Sequence, residues 1–154
     1  MRVFAMLGVA VLAVVLVVVL FFVKSQPVNP DEPFKIESAY ARATGASAMA
    51  GAAYMQITNQ SGKDDVLVAV KTDGAAMAQL HTHIESSNGV MMMRQIEGGI
   101  KLLAGGTVEL KRVGDHVMMM GLTGPLNTGE TLKITLTFEK AGEVVAEIPV
   151  DNDR

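Results

Sequence analysis

Three short stretches carry side chains able to hold a soft metal ion: His81-Thr82-His83, Met91-Met92-Met93-Arg94 and His116-Val117-Met118-Met119-Met120. All three histidines of the chain and seven of its eleven methionines lie between Met77 and Met120. In an extended strand, residues i and i+2 share a face. His81 and His83 would then project together, as would Met91 and Met93, and His116 with Met118 and then Met120. Two strands bearing such pairs, set side by side, can bring imidazole nitrogens and thioether sulfurs to one point.

That donor set has a chemical preference. Thioethers are soft and favour Cu(I), whereas imidazole takes copper in either oxidation state. Neither donor has a thiol proton to lose, and neither can be captured in a disulfide. A set of two imidazoles and two thioethers is neutral, which suits a monovalent ion. Zinc prefers thiolate, imidazole and carboxylate. Methionine runs also serve as adaptable core filler, and an isolated strand histidine is commonly a hydrogen-bonded surface residue. The co-occurrence of the three stretches, with no histidine elsewhere, points to the metal. Met55 and Met77 lie on apolar alternations and are expected in the core; the sequence assigns Tyr40 no role.

The elements that must position these residues read as strands. Thr131 to Glu139, TLKITLTFE, alternates Leu132, Ile134, Leu136 and Phe138 with Lys133, Thr135, Thr137 and Glu139, the period of a strand with one buried face. GAAYMQITN, VLVAV, GTVELKRV and EVVAEIPV predict further strands. The intervening NQSGKDD, SSNG, EGG, AGG and TGE have turn compositions. Short strands at this spacing predict an all-β antiparallel sandwich or barrel. Residues 34–154 form that domain, large enough to bury a substantial core.

Ahead of it, Val3 to Val23 is a run of 21 residues without a charge or proline. At about 1.5 Å per residue it spans a hydrocarbon layer of about 30 Å. Residues 1–24 are therefore expected to form one N-terminal transmembrane helix that anchors the chain, with a long cleaved signal peptide as the alternative. The amino terminus and Arg2 precede the span and Lys24 follows it, which keeps the start cytoplasmic and exports the rest. Residues 25–33, SQPVNPDEP, carry three prolines and suit an extended linker.

Composition excludes several classes. The net charge of −3, with no basic stripe or aromatic platform, argues against nucleic acid. Zero cysteines remove structural disulfides, thioredoxin-like chemistry and a blue-copper centre, which needs a thiolate. No H-E-x-x-H motif or Ser-His-Asp arrangement is visible, so an enzyme is not expected.

The order LHTH…VMMMR…IEGGIKLLAGGTVELK…GDHVMMMGL…PLNTGETLKITLTFEKAGEV resembles the PCuAC family of periplasmic copper chaperones. The resemblance runs from about Ile36, through YARAT and AAYMQITN, to Val150. It implies a cupredoxin-like β-fold whose copper ligands fall on His81, Met93, His116 and Met118. Met92 is the alternative to Met93, because the loop IESSNG holds one extra residue relative to the family pattern. His83 stands where relatives often have methionine; it could assist as a ligand, favour Cu(II) or be merely exposed. The resemblance further implies that the domain sits on the periplasmic side of the inner membrane, tethered or, after signal cleavage, soluble. It implies delivery of Cu(I) to cytochrome c oxidase assembly, the recipient being its copper-site subunit or another copper chaperone. Copper buffering or resistance, and a tethered β interaction domain without metal, are the competing functions.

Overall fold

The computed structural model describes residues 32–45 and 47–154. The predicted membrane span and most of the predicted linker lie outside these residues. Among the described residues there is no helix, hence none long and apolar enough to cross a membrane. Ten strands follow in chain order: β1 (Phe34–Ala43), β2 (Ala50–Asn59), β3 (Asp65–Thr72), β4 (Ala75–Glu85), β5 (Met91–Gln95), β6 (Ile100–Leu102), β7 (Thr107–Leu110), β8 (His116–Leu122), β9 (Thr131–Phe138) and β10 (Gly142–Pro149).

They build two antiparallel sheets. One has the order β1-β2-β8-β4-β5, with β7 also pairing β2; the other runs β10-β9-β3-β6. The predicted all-β antiparallel architecture is what the described residues adopt. The alternation read in β9 buries Ile134, Leu136 and Phe138, and β10 contributes Ala146 and Ile148. From the other sheet, Ala53, Met55 and Ile57 of β2 and Val117 and Met119 of β8 join the same apolar cluster. Phe34 and Phe138 stack across it with ring centroids 3.6 Å apart. Met55 is core, as expected. Met77 is not: it is half exposed, because its register on β4 turns it away from the core.

Two local devices set what each face presents. The β1–β2 register slips between Glu37 and Tyr40, where Ser38 takes a left-handed φ of 52°. One extra residue in a strand flips every later side chain to the opposite face. Tyr40 is thereby opposite Tyr54, their rings 5.0 Å apart, while Ala41 and Ala43 turn into the core. At the other sheet, buried Asp65 opens β3 and accepts hydrogen bonds from the amides of Val66, Lys140 and Ala141 at 2.8–2.9 Å. That carboxylate ties the β9–β10 turn to β3.

Candidate metal centre

β8 is the middle strand of the larger sheet, held between β2 and β4. Its inward residues, Val117 and Met119, are fully buried in the core. His116, Met118 and Met120 therefore project from the outer face. Strand pairing decides which residues join them. His81 lies opposite His116, Gln79 opposite Met118 and Met77 opposite Met120. On the far side of β4, His83 lies opposite Met93 and Ile84 opposite Met92.

Directly opposed residues share a face. The outer face thus collects His81, His83, Met93, His116 and Met118, whereas Met92 belongs to the opposite face of β5. The β4–β5 register sets Met93, and not Met92, on the face of the histidines. All five residues of β5 are exposed, so its thioethers are open to solvent.

The three imidazoles form a cluster. The His116 ring lies 5.0 Å from that of His83 and 6.1 Å from that of His81, and the Tyr54 ring closes the β2 side at 6.2 Å. Under these rings His116 is only 2% exposed, although it sits on the outward face of a sheet. His81 and His83 keep partial exposure.

Hydrogen bonds orient the rings. His116 Nδ1 is 3.0 Å from the Gly114 carbonyl oxygen. A carbonyl only accepts, so Nδ1 carries the proton and Nε2 keeps its lone pair. Gly114 also presents its carbonyl oxygen 3.2 Å and its amide nitrogen 3.4 Å from His83 Nδ1, and so can accept from or donate to either tautomer of that ring. His81 Nε2 lies 3.2 Å from Gln79 Oε1. Its other nitrogen, Nδ1, is buried with no hydrogen-bond partner among the described residues. Leaving such an atom unpaired costs on the order of 1–3 kcal/mol, which an incoming electrophile would recover. Burial, and next the neighbouring His116, hold His81 below its ordinary pKa of 6.5. The ring is therefore neutral at pH 7, with a lone pair available.

Among the described residues no group of three or more histidines and carboxylates is arranged to hold a metal ion. An ion at this cluster has to recruit sulfur, and the face supplies it in Met118 and Met93. The donor chemistry fits Cu(I) better than a harder ion. The face is also open: a cavity of about 310 Å³ lies against Met118, lined by Tyr54, Ala52, Arg42 and Arg112 among others.

Sequence patterning did not find Tyr54, Gln79 or Gly114. None of them is a metal-ligand type in a motif; they enter because the pairing of β2, β4 and β8 lays them beside the histidines. The closely opposed His81 and His116 are equally invisible from spacing, being 35 residues apart in the chain.

Comparison with known proteins is consistent with this geometry. The family described as "Putative lipoprotein LpqE-like" matches residues 34–150. "Putative lipoprotein Lxx21020" of Leifsonia xyli subsp. xyli is 27% identical over 124 residues, covering 80% of this chain and 73% of that one. Among solved structures, the apo PCuAC domain from PmoF1 shares 28% identity with a TM-score of 0.66, over 79% of this chain and 95% of that domain. The solution structure of CuI-DR1885 from Deinococcus radiodurans shares 34% identity with a TM-score of 0.59, over 75% and 76% of the two chains.

Proposed function

The chain belongs to the LpqE-like family, and we propose, from that membership and its likeness to PCuAC domains, that it is a copper chaperone of cupredoxin-like fold. Its cargo is Cu(I), held by His81, Met93, His116 and Met118, with His83 as an auxiliary donor. The observation that carries this is the register of β4, β5 and β8, which gathers two soft sulfurs and three imidazoles on one open sheet face.

The residues divide the work. His116, locked by the Gly114 carbonyl, is a fixed donor whose Nε2 needs no reorganisation. His81, kept neutral by burial, does not have to shed a proton at pH 7 to bind. Met93 and Met118 are neutral and pay no deprotonation either, so uptake and release are not tied to proton transfer at sulfur. Met93 lies on the exposed edge strand and is the ligand an acceptor can replace first. Exchange then proceeds one donor at a time, which a closed thiolate cage would hinder. Carriage of this kind needs no catalytic residue.

The family name speaks of lipoproteins, and the domain is placed outside the cytoplasm at the membrane. No cysteine occurs in these 154 residues, so none of them can carry a thioether-linked lipid. The tether is instead the apolar run Val3 to Val23, and a cleaved signal peptide would release the domain into the periplasm. Tethering a carrier beside a membrane-bound acceptor raises their effective concentration without any added contact. The acceptor is the copper-site subunit of an assembling cytochrome c oxidase, or another chaperone that serves it. Deleting the protein under copper limitation should lower assembled oxidase activity, and added copper should restore it. If oxidase is unaffected and only survival in excess copper falls, the role is buffering and not delivery.

A further inference from the structure

The outer face that carries the histidines does not end at Met118. Two residues further along β8, Met120 projects from the same face and lies opposite Met77 of β4 on one side and Ala50 of β2 on the other. Met118 likewise faces Ala52. Small residues on β2 leave the sulfurs uncovered on that flank. Met77 is 50% exposed. Met49, 70% exposed, is fastened at the same end of β8, its carbonyl accepting the amides of Gly121 and Leu122 at 2.8 and 3.1 Å. Core packing therefore does not account for Met49 or Met77, and a solvated sheet face gains nothing from methionine that threonine would not supply.

We infer that Met77 and Met120 form a second, weaker Cu(I) site made of thioethers alone. Directly opposed strand residues have Cβ atoms about 4.5–5.5 Å apart. That separation lets two flexible thioether side chains converge on one ion. Neutral sulfur without imidazole binds Cu(I) and discriminates against Cu(II) and zinc. Met118 lies diagonally across from Met77 and next along the strand from Met120, so it neighbours both sites. An ion can pass between them by exchanging sulfur for sulfur, remaining Cu(I) throughout and releasing no proton. The inference rests on the copper-carrier function proposed above and adds a loading or handover position to it.

Anaerobic titration of the full-length chain in detergent with Cu(I), against a competing chelator, tests it. Methionine ε-methyl resonances report which sulfurs respond. Wild type should take a tight first equivalent and a weaker second one, the second moving the methyls of Met77 and Met120. Met77→Leu plus Met120→Leu keeps the volume and removes the donors. That variant should lose the second equivalent while the first stays unchanged. Met77→Leu alone, at a half-exposed position, should weaken the second equivalent by at least about tenfold, equivalent to about 1.4 kcal/mol. In His116→Ala the tight equivalent should vanish while the Met77 and Met120 methyls still respond. A second equivalent that persists in the double leucine variant, or a wild type that binds only one, overturns the second site and leaves the first untouched. A tight equivalent that persists in His116→Ala would instead count against the histidine–methionine centre.

Discussion

The two sheets share one core and present opposite chemistries on their outer faces. The smaller sheet carries paired hard charges: Lys71 meets Glu143 at 2.7 Å and Lys133 meets Glu147 at 3.9 Å, bridging its strands in solvent. The larger sheet carries imidazole and thioether across β4, β5 and β8, and among the described residues no ion pair crosses those three strands. Every strand except the exposed β5 nevertheless contributes buried residues to a common apolar interior. The core is thus indifferent to which donors stand on its outside. Folding and metal handling use opposite sides of the same strands, and each should be breakable without the other.

The largest effect belongs to the shared interior. Phe138 is fully buried and stacked on Phe34. Phe138→Ala should cost about 3–5 kcal/mol, a large part of a domain's total stability of about 5–15 kcal/mol. Urea unfolding of the variant checks this, and the fraction still folded should bind Cu(I) as wild type does. A loss below 1 kcal/mol would mean that the core is not what joins the sheets.

Next comes the contrast between neighbours on β5. Met93 faces the histidines and Met92 faces away. Met93→Ala should weaken Cu(I) binding by at least about tenfold and Met92→Ala by less than about threefold. Competition with a chromogenic Cu(I) chelator reads both. Reversed magnitudes would mean that β5 shifts by one residue when the ion arrives.

Acid should separate the two sides as well. His81 is held below 6.5 by its burial and then by His116, so its protonation, and the copper release it drives, should fall below that pH. Asp65 protects the scaffold over a lower range. Burial pushes its carboxyl up, but three backbone amides outweigh that and leave it below its ordinary 3.8. A carboxylate whose folded pKa is lowered adds stability that is complete above its unfolded value of about 3.9 and is lost as pH falls through the folded one. Lowering the pH from 7 should therefore release copper first, with unfolding delayed until below about pH 4. The stability gap between wild type and Asp65→Asn should close over that same lower window.

The smallest effect belongs to the charged face. Lys71 and Glu143 are both more than half exposed, and exposed pairs contribute about 0–1 kcal/mol. Glu143→Gln should lower stability by no more than that, less at high salt, with no change in copper binding.

Much of this division was legible in the sequence. TLKITLTFE and EVVAEIPV alternate cleanly because one face of each meets the core and the other meets water. The His-x-His and His-x-Met spacings needed only the two-residue period of a strand. Pairing was not legible. Whether Met92 or Met93 joins the histidines depends on how β4 and β5 register across Ser86 to Val90, and turn composition does not encode that register. Met77 departs from its expected core position because Ala75, Ala76 and Ala78 flank it, and alanine on both sides gives no cue to which face is wet. The slip at Ser38, which turns Tyr40 toward Tyr54, has no glycine to announce it. The expected membrane span at 3–23 lies outside the described residues, and export of a fusion reporter joined after Arg154 would test it.

The central claim is that one sheet face, independent of the core, holds the ion. It is tested most directly by Cu(I) titration of His116→Ala, Met118→Ala beside wild type, with thermal unfolding of both apo chains. Wild type should bind one tight equivalent, and the double variant should lose it while still unfolding cooperatively near the wild-type temperature. A double variant that folds and still holds one tight equivalent of Cu(I) would contradict the claim.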